Sequence, residues 1–433
     1  MADLGDITHR PAAADRTLSY RLQRSRLSGS VRVSGAKNSA LRLMAGSLLT
    51  PAKVMLRNYP CDLSDAQVHL GMLEALGKSC VQVGDTLTIS EDKPLSSRLE
   101  WHGRSIRNTL LILGALTARL GAGAVPLPGG CDIGPSGERR YDLHVLVLES
   151  LGARVWNEGR TLLAEAPRGL KGADIQLPIR STGATENALL CATLAHGVTR
   201  IWNPHIRPEI IDLIAFLRAL GARIQVFGQE HIEVRGVEGL SGAEHRVIPD
   251  NVEALTWVIG AMVTGGEVEI GDFPHGHLEV PLIFLRESGA RLFRGDDALV
   301  VRGGRCYPVD LATGPYPGIN SDMQPLFAVY GAAARGESRL IDLRFPGRYA
   351  YADELARLGV QHVMDGNLLR IIGGAPLTGA EVRAPDLRAG IALCLAGLMA
   401  DGETTVRDAW QVERGYSNFA LKLRELGGRI DLH

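Results

Sequence analysis

Six stretches decide the fold of this 433-residue chain: LEALGKSCVQV at 73–83, LESLGARVWNE at 148–158, LRALGARIQVF at 217–227, LRESGARLFRG at 285–295, LARLGVQHVMD at 355–365 and LRELGGRIDLH at 423–433. In each, a leucine-bearing helical pattern stops on Leu-Gly or Ser-Gly and a short strand follows. The glycines are Gly77, Gly152, Gly221, Gly289, Gly359 and Gly427, separated by 75, 69, 68, 70 and 68 residues, too regular for chance. The chain is therefore six repeats of about 70 residues.

A second series interleaves with the first: RLGAGAVPL, AHGVTRIWN, TGGEVEIGD, ARGESRLID and ADGETTVRD. Here glycine closes an apolar helix in the left-handed conformation and a β-branched strand follows. Each unit reads as two helices and several strands. The segments ENALLCATLA, LTWVIGAMV and AGIALCLAGLMA are apolar nearly all round, so they belong inside, with the sheets outside. A chain of this length exceeds one ordinary core. Two domains of about 200 residues, three units apiece, are expected, with a small-molecule site in the cleft between them.

Hydrophobic residues make up 45% and charged residues 22%, the profile of a globular protein. Forty-seven basic residues balance 48 acidic ones, and the net charge of -1 offers no bulk attraction to nucleic acid or to an anionic membrane. Any anion site must be local. The six cysteines are scattered without CxxC spacing, which suits reduced thiols in a cytosol. No apolar run nears the ~18 residues of a spanning helix, and no signal-peptide core is present, so a cytoplasmic location is expected. Residues 1–17, polar and alanine-rich, read as a flexible tail. The 12 histidines show no paired metal spacing and read as surface or satisfied core residues, so neither metal nor cofactor is expected. There is no Walker loop, no GxGxxG after a strand and no GxSxG elbow.

Four segments carry candidate chemistry. LPGGCDIGPSGERRYDLH at 127–144 sets Cys131 after a Pro-Gly-Gly run that fits neither a helix nor a central strand, which predicts a mobile surface loop. In SGAKNSAL, Lys37 stands beside a helix start, where free N–H groups and the positive dipole end can hold a phosphate; alone, it also reads as an ordinary solvated lysine. Asp322, in TGPYPGINSDMQPL, reads as a helix cap or as a general base. Asp386, Arg388 and Arg414 lie at two turns into helices and Arg348 in PGRYAY. These arginines read as surface ion pairs or as a clamp for a multiply charged anion.

Taken together, SGAKN at 34–38, PGGCDIG at 128–134, STGATEN at 181–187, SDMQP at 321–325, DLRAG at 386–390 and ERGY at 413–416 resemble the UDP-N-acetylglucosamine enolpyruvyl transferases, also called UDP-N-acetylglucosamine 1-carboxyvinyltransferases. The resemblance runs from about Leu18 to His433, with the motifs in order and the repeat in phase. It implies a two-domain inside-out α/β barrel that closes on its substrates, domain I being 18–36 plus 247–433 and domain II 37–246. The implied reaction transfers the enolpyruvyl group of phosphoenolpyruvate to a sugar hydroxyl of a uridine nucleotide, at the start of peptidoglycan synthesis. Residue by residue, Cys131 matches the general acid that fosfomycin alkylates. Lys37, the loop arginine (Arg139 or Arg140) and Arg414 match a phosphate clamp, and Arg348 and Arg388 match the arginines that hold the carboxylate. Asp322 matches the acceptor of the hydroxyl proton, and Asp386 a second acidic group. Asn38, Arg107, Tyr141, Asp142, Leu143, Ser181, Thr182, Gly183 and Arg344 fall on the acceptor side.

Three departures bear on that acceptor. CDIGPSGERRYD is three residues longer than the family's loop, with Arg140-Tyr141 where Pro-Val flanks the uracil. Ile179 replaces a lysine, with Arg180 one place on; in an extended segment that shift turns the charge to the opposite face. IRPE at 206–209 replaces Arg-Glu-Pro-Glu and loses one acid. The rival expectations are a paralogue acting on another nucleotide such as uridine monophosphate, the 3-phosphoshikimate 1-carboxyvinyltransferase relative, and a silent nucleotide-sugar binder.

Overall fold

A computed structural model describes residues 17–129 and 141–433. All of the expected tail except Thr17 lies outside the described residues. The six repeats each contribute one inner helix, namely Lys37–Gly46, Thr109–Leu120, Thr182–Thr193, Asn251–Val263, Gln324–Ala333 and Leu387–Gly397. These helices are buried almost throughout, and every residue of Leu387–Gly397 is. Small residues let them approach closely: a Cβ on Gly114 would stand 2.1 Å from Oδ1 of Asn187 on the neighbouring inner helix.

The outer helices run Ser64–Ala75, Asp142–Ser150, Pro208–Ala219, Glu279–Glu287, Ala350–Arg357 and Phe419–Glu425, and each is followed by its repeat glycine. All six of those glycines have positive φ, from 80° to 109°. The N–H after each closes back onto the carbonyl of the repeat leucine, as from Lys78 to Leu73 at 3.0 Å and from Gly428 to Leu423 at 2.8 Å. Gly121, Gly197, Gly265, Gly336 and Gly402 of the second series are also left-handed. The first repeat enters its strand Val54–Arg57 through Thr50-Pro51-Ala52-Lys53, without a glycine, so that series shows five copies in the sequence rather than six.

Among the described residues five sheets have four strands and one has three. Strand Tyr20–Gln23 lies antiparallel between Glu403–Arg407 and Arg429–Leu432, so the start of the chain completes a sheet made by its end. Strand Ser28–Arg32 runs parallel to Glu267–Gly271. Two separate apolar cores result, one drawn from Tyr20 to Val33 and Val252 to Ile430, the other from Ala40 to Val247. Among the described residues no helix is long and apolar enough to cross a membrane.

The chain passes between the cores twice, side by side. The Ala36 N–H donates to Ile248 O at 2.7 Å and the Asp250 N–H to Ser34 O at 2.9 Å. At Gly35 a Cβ would stand 1.8 Å from the carbonyl oxygen of Asn58. Gly35→Ala therefore forces the crossing apart, and a stability loss of about 1–3 kcal/mol is expected, read as a lower urea midpoint.

Candidate active site

The site is assembled where inner helices begin, because there backbone N–H groups lack helical partners and the dipole is positive. Lys37 is the first residue of its helix, Ser181 and Asp386 are N-caps, and Asp322 directly precedes the Met323 cap.

One cluster surrounds Asp65, the second residue of helix Ser64–Ala75. Its carboxylate is 2.6 Å from Arg104 Nη2, 3.2 Å from Arg414 Nε and 3.3 Å from Lys37 Nζ. Arg414 comes from one core, Lys37, Asp65 and Arg104 from the other. Lys37 is 8% exposed and Arg414 5%, which excludes both the solvated lysine and the surface ion pair. Burial alone raises the Asp65 carboxyl, but Lys37, Arg414 and Arg104 together hold it well below the usual carboxylate range.

The second cluster surrounds Asp322. Arg348 Nη1 lies 3.0 Å from its Oδ1, and Arg388 Nη2 lies 3.5 Å from its Oδ2. Arg348 also donates to Ser321 Oγ at 3.1 Å and lies 3.9 Å from Asp386. Burial pushes the Asp322 carboxyl up; Arg388, Arg348 and Arg207 overcome it and hold it far below its ordinary value. The capping reading of Asp322 is corrected. Its side chain caps no helix, being held by the arginines, whereas Asp386 does cap, accepting from the Arg388 and Ala389 N–H groups at 2.7 and 3.1 Å. Arg348 and Arg388 are buried, so the surface ion-pair reading fails for them too.

Of the residues expected on the acceptor side, Asn38 and Arg107 are half-buried near the starts of two inner helices. Ser181 Oγ accepts from the Ala184 N–H at 3.4 Å. Gly183 packs closely on His144, whose Nε2 would be 2.9 Å from a Cβ there. Tyr141 accepts from Asn157 Nδ2 at 3.0 Å, with Asp142 and Leu143 opening the next helix. Arg344 is exposed, its guanidinium 5.3 Å from the Phe345 ring centroid. Cys131, Arg139 and Arg140 lie outside the described residues. The chain reaches them from Gly129, whose N–H donates to Ser105 Oγ at 3.2 Å, one residue from Arg104.

The condition of an extended segment is not met at residues 179–180, where the strand Asp174–Gln176 has ended and the chain bends at Pro178-Ile179. Ile179 is exposed, and Arg180 Nε reaches Asn203 Oδ1 at 3.4 Å. In IRPE, Arg207 forms a bidentate pair with Glu209, at 2.6 and 2.7 Å.

Sequence reasoning missed Asp65, Arg104, Arg207 and His205. A signal for the first was present: Ser-Asp-x-Gln occurs at 64–67 and again at 321–324, and both aspartates are gripped by arginines. His205, read as surface or core, instead touches both cores.

The comparisons agree with this architecture. Residues 22–423 match the family model of EPSP synthase (3-phosphoshikimate 1-carboxyvinyltransferase). The enolpyruvyl transferase NikO from Streptomyces tendae superposes with a TM-score of 0.87 at 26% identity, covering 96% of this chain and 99% of that one. EPSP synthase from Acinetobacter baumannii, at TM-score 0.75 and 19% identity over 96% of this chain and 100% of its own, shares the fold. The expected two-domain inside-out α/β barrel is thus the fold, and the protein is an enolpyruvyl (1-carboxyvinyl) transferase. UDP-N-acetylglucosamine 1-carboxyvinyltransferase of Caulobacter vibrioides (strain NA1000 / CB15N) is 39% identical, over 94% of this chain and 95% of its own. UDP-N-acetylglucosamine 1-carboxyvinyltransferase 2 of Carboxydothermus hydrogenoformans is 40% identical, over 94% and 97%. The chain belongs to the UDP-N-acetylglucosamine 1-carboxyvinyltransferase family.

Proposed function

We propose that the protein transfers the enolpyruvyl group of phosphoenolpyruvate to the 3-hydroxyl of UDP-N-acetylglucosamine, releasing phosphate and serving peptidoglycan synthesis. Residues 18–36 plus 247–433 and 37–246 act as the two closing domains. The observation that carries this reading is the meeting of Lys37 and Arg414, from different cores, at Asp65.

Lys37, Arg104 and Arg414 converge on Asp65, and this cluster of cations is suited to grip the phosphate of phosphoenolpyruvate, with Arg139 or Arg140 adding to them. Arg348 and Arg388 take the substrate carboxylate. Both engage Asp322 in the structure, so the incoming carboxylate competes with Asp322 for the same guanidinium groups. As they turn to substrate, Asp322 loses the charges that depress its proton affinity and becomes a stronger base. It takes the hydroxyl proton as the hydroxyl oxygen bonds to C2 of phosphoenolpyruvate, and the double-bond electrons take a proton at C3 from Cys131. The tetrahedral ketal then gives up a methyl proton, with Asp386 beside the reacting carbons as the second acidic group, re-forms the double bond and expels phosphate. Cys131→Ala is expected to abolish fosfomycin labelling, read by intact mass, and most turnover; retained labelling removes Cys131 as the acid.

One observation favours a second acceptor, uridine monophosphate: exposed Ile179 supplies no charge where the family has a lysine, which suits a ligand with one phosphate rather than two. Phosphate release from phosphoenolpyruvate, measured with UDP-N-acetylglucosamine, uridine monophosphate or shikimate 3-phosphate as sole acceptor, tests the reading. Release with the first supports it and release with the second alone moves the acceptor. Release only with the third, or with none, overturns it.

A further inference from the structure

His205 uses both ring nitrogens to join the two cores. Its own N–H donates to Thr185 Oγ1 at 3.1 Å, which seats the ring over the first turn of helix Thr182–Thr193. The Tyr316 N–H, from the other core, donates to Nε2 at 3.3 Å. A backbone amide can only donate, so Nε2 carries no hydrogen; Nδ1 therefore holds it and donates to Thr182 Oγ1 at 2.9 Å. One tautomer satisfies all of these contacts. Burial, together with Arg207 and against the opposing Glu209, then Arg344 and Arg180, pushes the ring pKa down to about 4, so the neutral form is the one present near neutrality.

Tyr316 sits in a braced loop. Gly314 N–H donates to Ile319 O at 2.8 Å, Tyr316 Oη donates to Gly276 O at 3.0 Å, and Asn320 Oδ1 accepts from the Asp322 N–H at 3.1 Å. Ser321 and Thr313 both bind Asp342, at 2.5 and 2.9 Å. A displacement at Tyr316 is thus carried to Asp322 through few soft torsions.

We propose that His205 is a positioning residue that registers the Asp322 loop against Thr182, so that the base meets the acceptor hydroxyl only when the two cores are closed on each other. This rests on the functional reading above, in which Asp322 is the base and Thr182 lies on the acceptor side. His205 touches no reacting atom; it acts through Tyr316 and Thr182.

The test pairs kinetics with a measurement independent of substrate. In His205→Phe, which keeps a planar ring and loses both nitrogens, the KM for the acceptor is expected to rise about tenfold while that for phosphoenolpyruvate stays within about twofold. His205→Gln, which retains one donor and one acceptor, is expected to recover most of the loss. An equal rise in both KM values, or no rise, overturns the positioning role. In small-angle scattering of the ligand-free protein, His205→Phe is expected to show a larger radius of gyration than the wild type at an unchanged melting temperature; identical scattering overturns the latch. Should the wild type turn over no acceptor, the functional reading fails and scattering alone decides the latch. Should His205→Phe not fold, His205→Gln and Thr182→Val are compared by the same measurements.

Discussion

Asp322→Asn is expected to lower turnover by about 10²–10⁴-fold while binding phosphoenolpyruvate at least as tightly as the wild type. The substitution keeps the size of the side chain and removes the charge proposed to accept the hydroxyl proton. It also removes a competitor, because Arg348 and Arg388, now 3.0 and 3.5 Å from the Asp322 oxygens, no longer have to leave a carboxylate to reach the substrate. Binding by titration calorimetry and single-turnover phosphate release separate the two effects. A wild-type rate excludes Asp322 as the base; weakened phosphoenolpyruvate binding refutes the competition between the two carboxylates.

Asp65→Asn has the largest expected effect on stability. Lys37, Arg104 and Arg414 are all within 3.3 Å of the Asp65 oxygens, and its side chain is 7% exposed. Removing the charge breaks this buried ion cluster, and a loss of about 3–5 kcal/mol is expected. Inorganic phosphate at millimolar concentration then restores the variant's melting temperature more than it raises that of the wild type, since the anion replaces the missing carboxylate. A phosphate response no greater than that of the wild type denies these side chains the role of a phosphate clamp. The pH dependence has a definite sign. Asp65 and Asp322 are both depressed below the ordinary carboxylate value near 4, so the folded protein binds fewer protons than the unfolded chain. Their contribution is full above that ordinary value and is lost as pH falls below it toward the depressed one. The stability gap between wild type and Asp65→Asn, measured by denaturant midpoint, is therefore expected to narrow on acidification below about pH 5.

Much of the fold was legible because its punctuation is local. The repeat glycines announce left-handed helix ends, and each of the six has the positive φ that its Leu-Gly or Ser-Gly context implied. The inner helices were legible as segments without a polar face, as Leu387–Gly397 shows. The missing sixth copy of the second series turns on Thr50-Pro51, a different solution to the same bend. At the site, Lys37, Arg348, Arg388 and Arg414 were found one by one, but not which carboxylates they meet. Asp65 looked like any acidic residue in a first helical turn, and Arg104 like any loop arginine. His205 was invisible as a bridge, because a lone histidine says nothing about which nitrogen faces which neighbour until Thr182 and Tyr316 are brought beside it.

By itself the sequence determined the sixfold period, the helix ends and the inward or outward place of each helix, since these depend on φ preferences and on side-chain patterns a few residues long. Only the tertiary structure decided which charges meet. Arg414 and Asp65 are 349 positions apart in the chain and 3.2 Å apart in space. No local propensity encodes such a distance, because it is set by how two independently packed cores are joined at the Ser34–Ala36 and Ile248–Asp250 crossings.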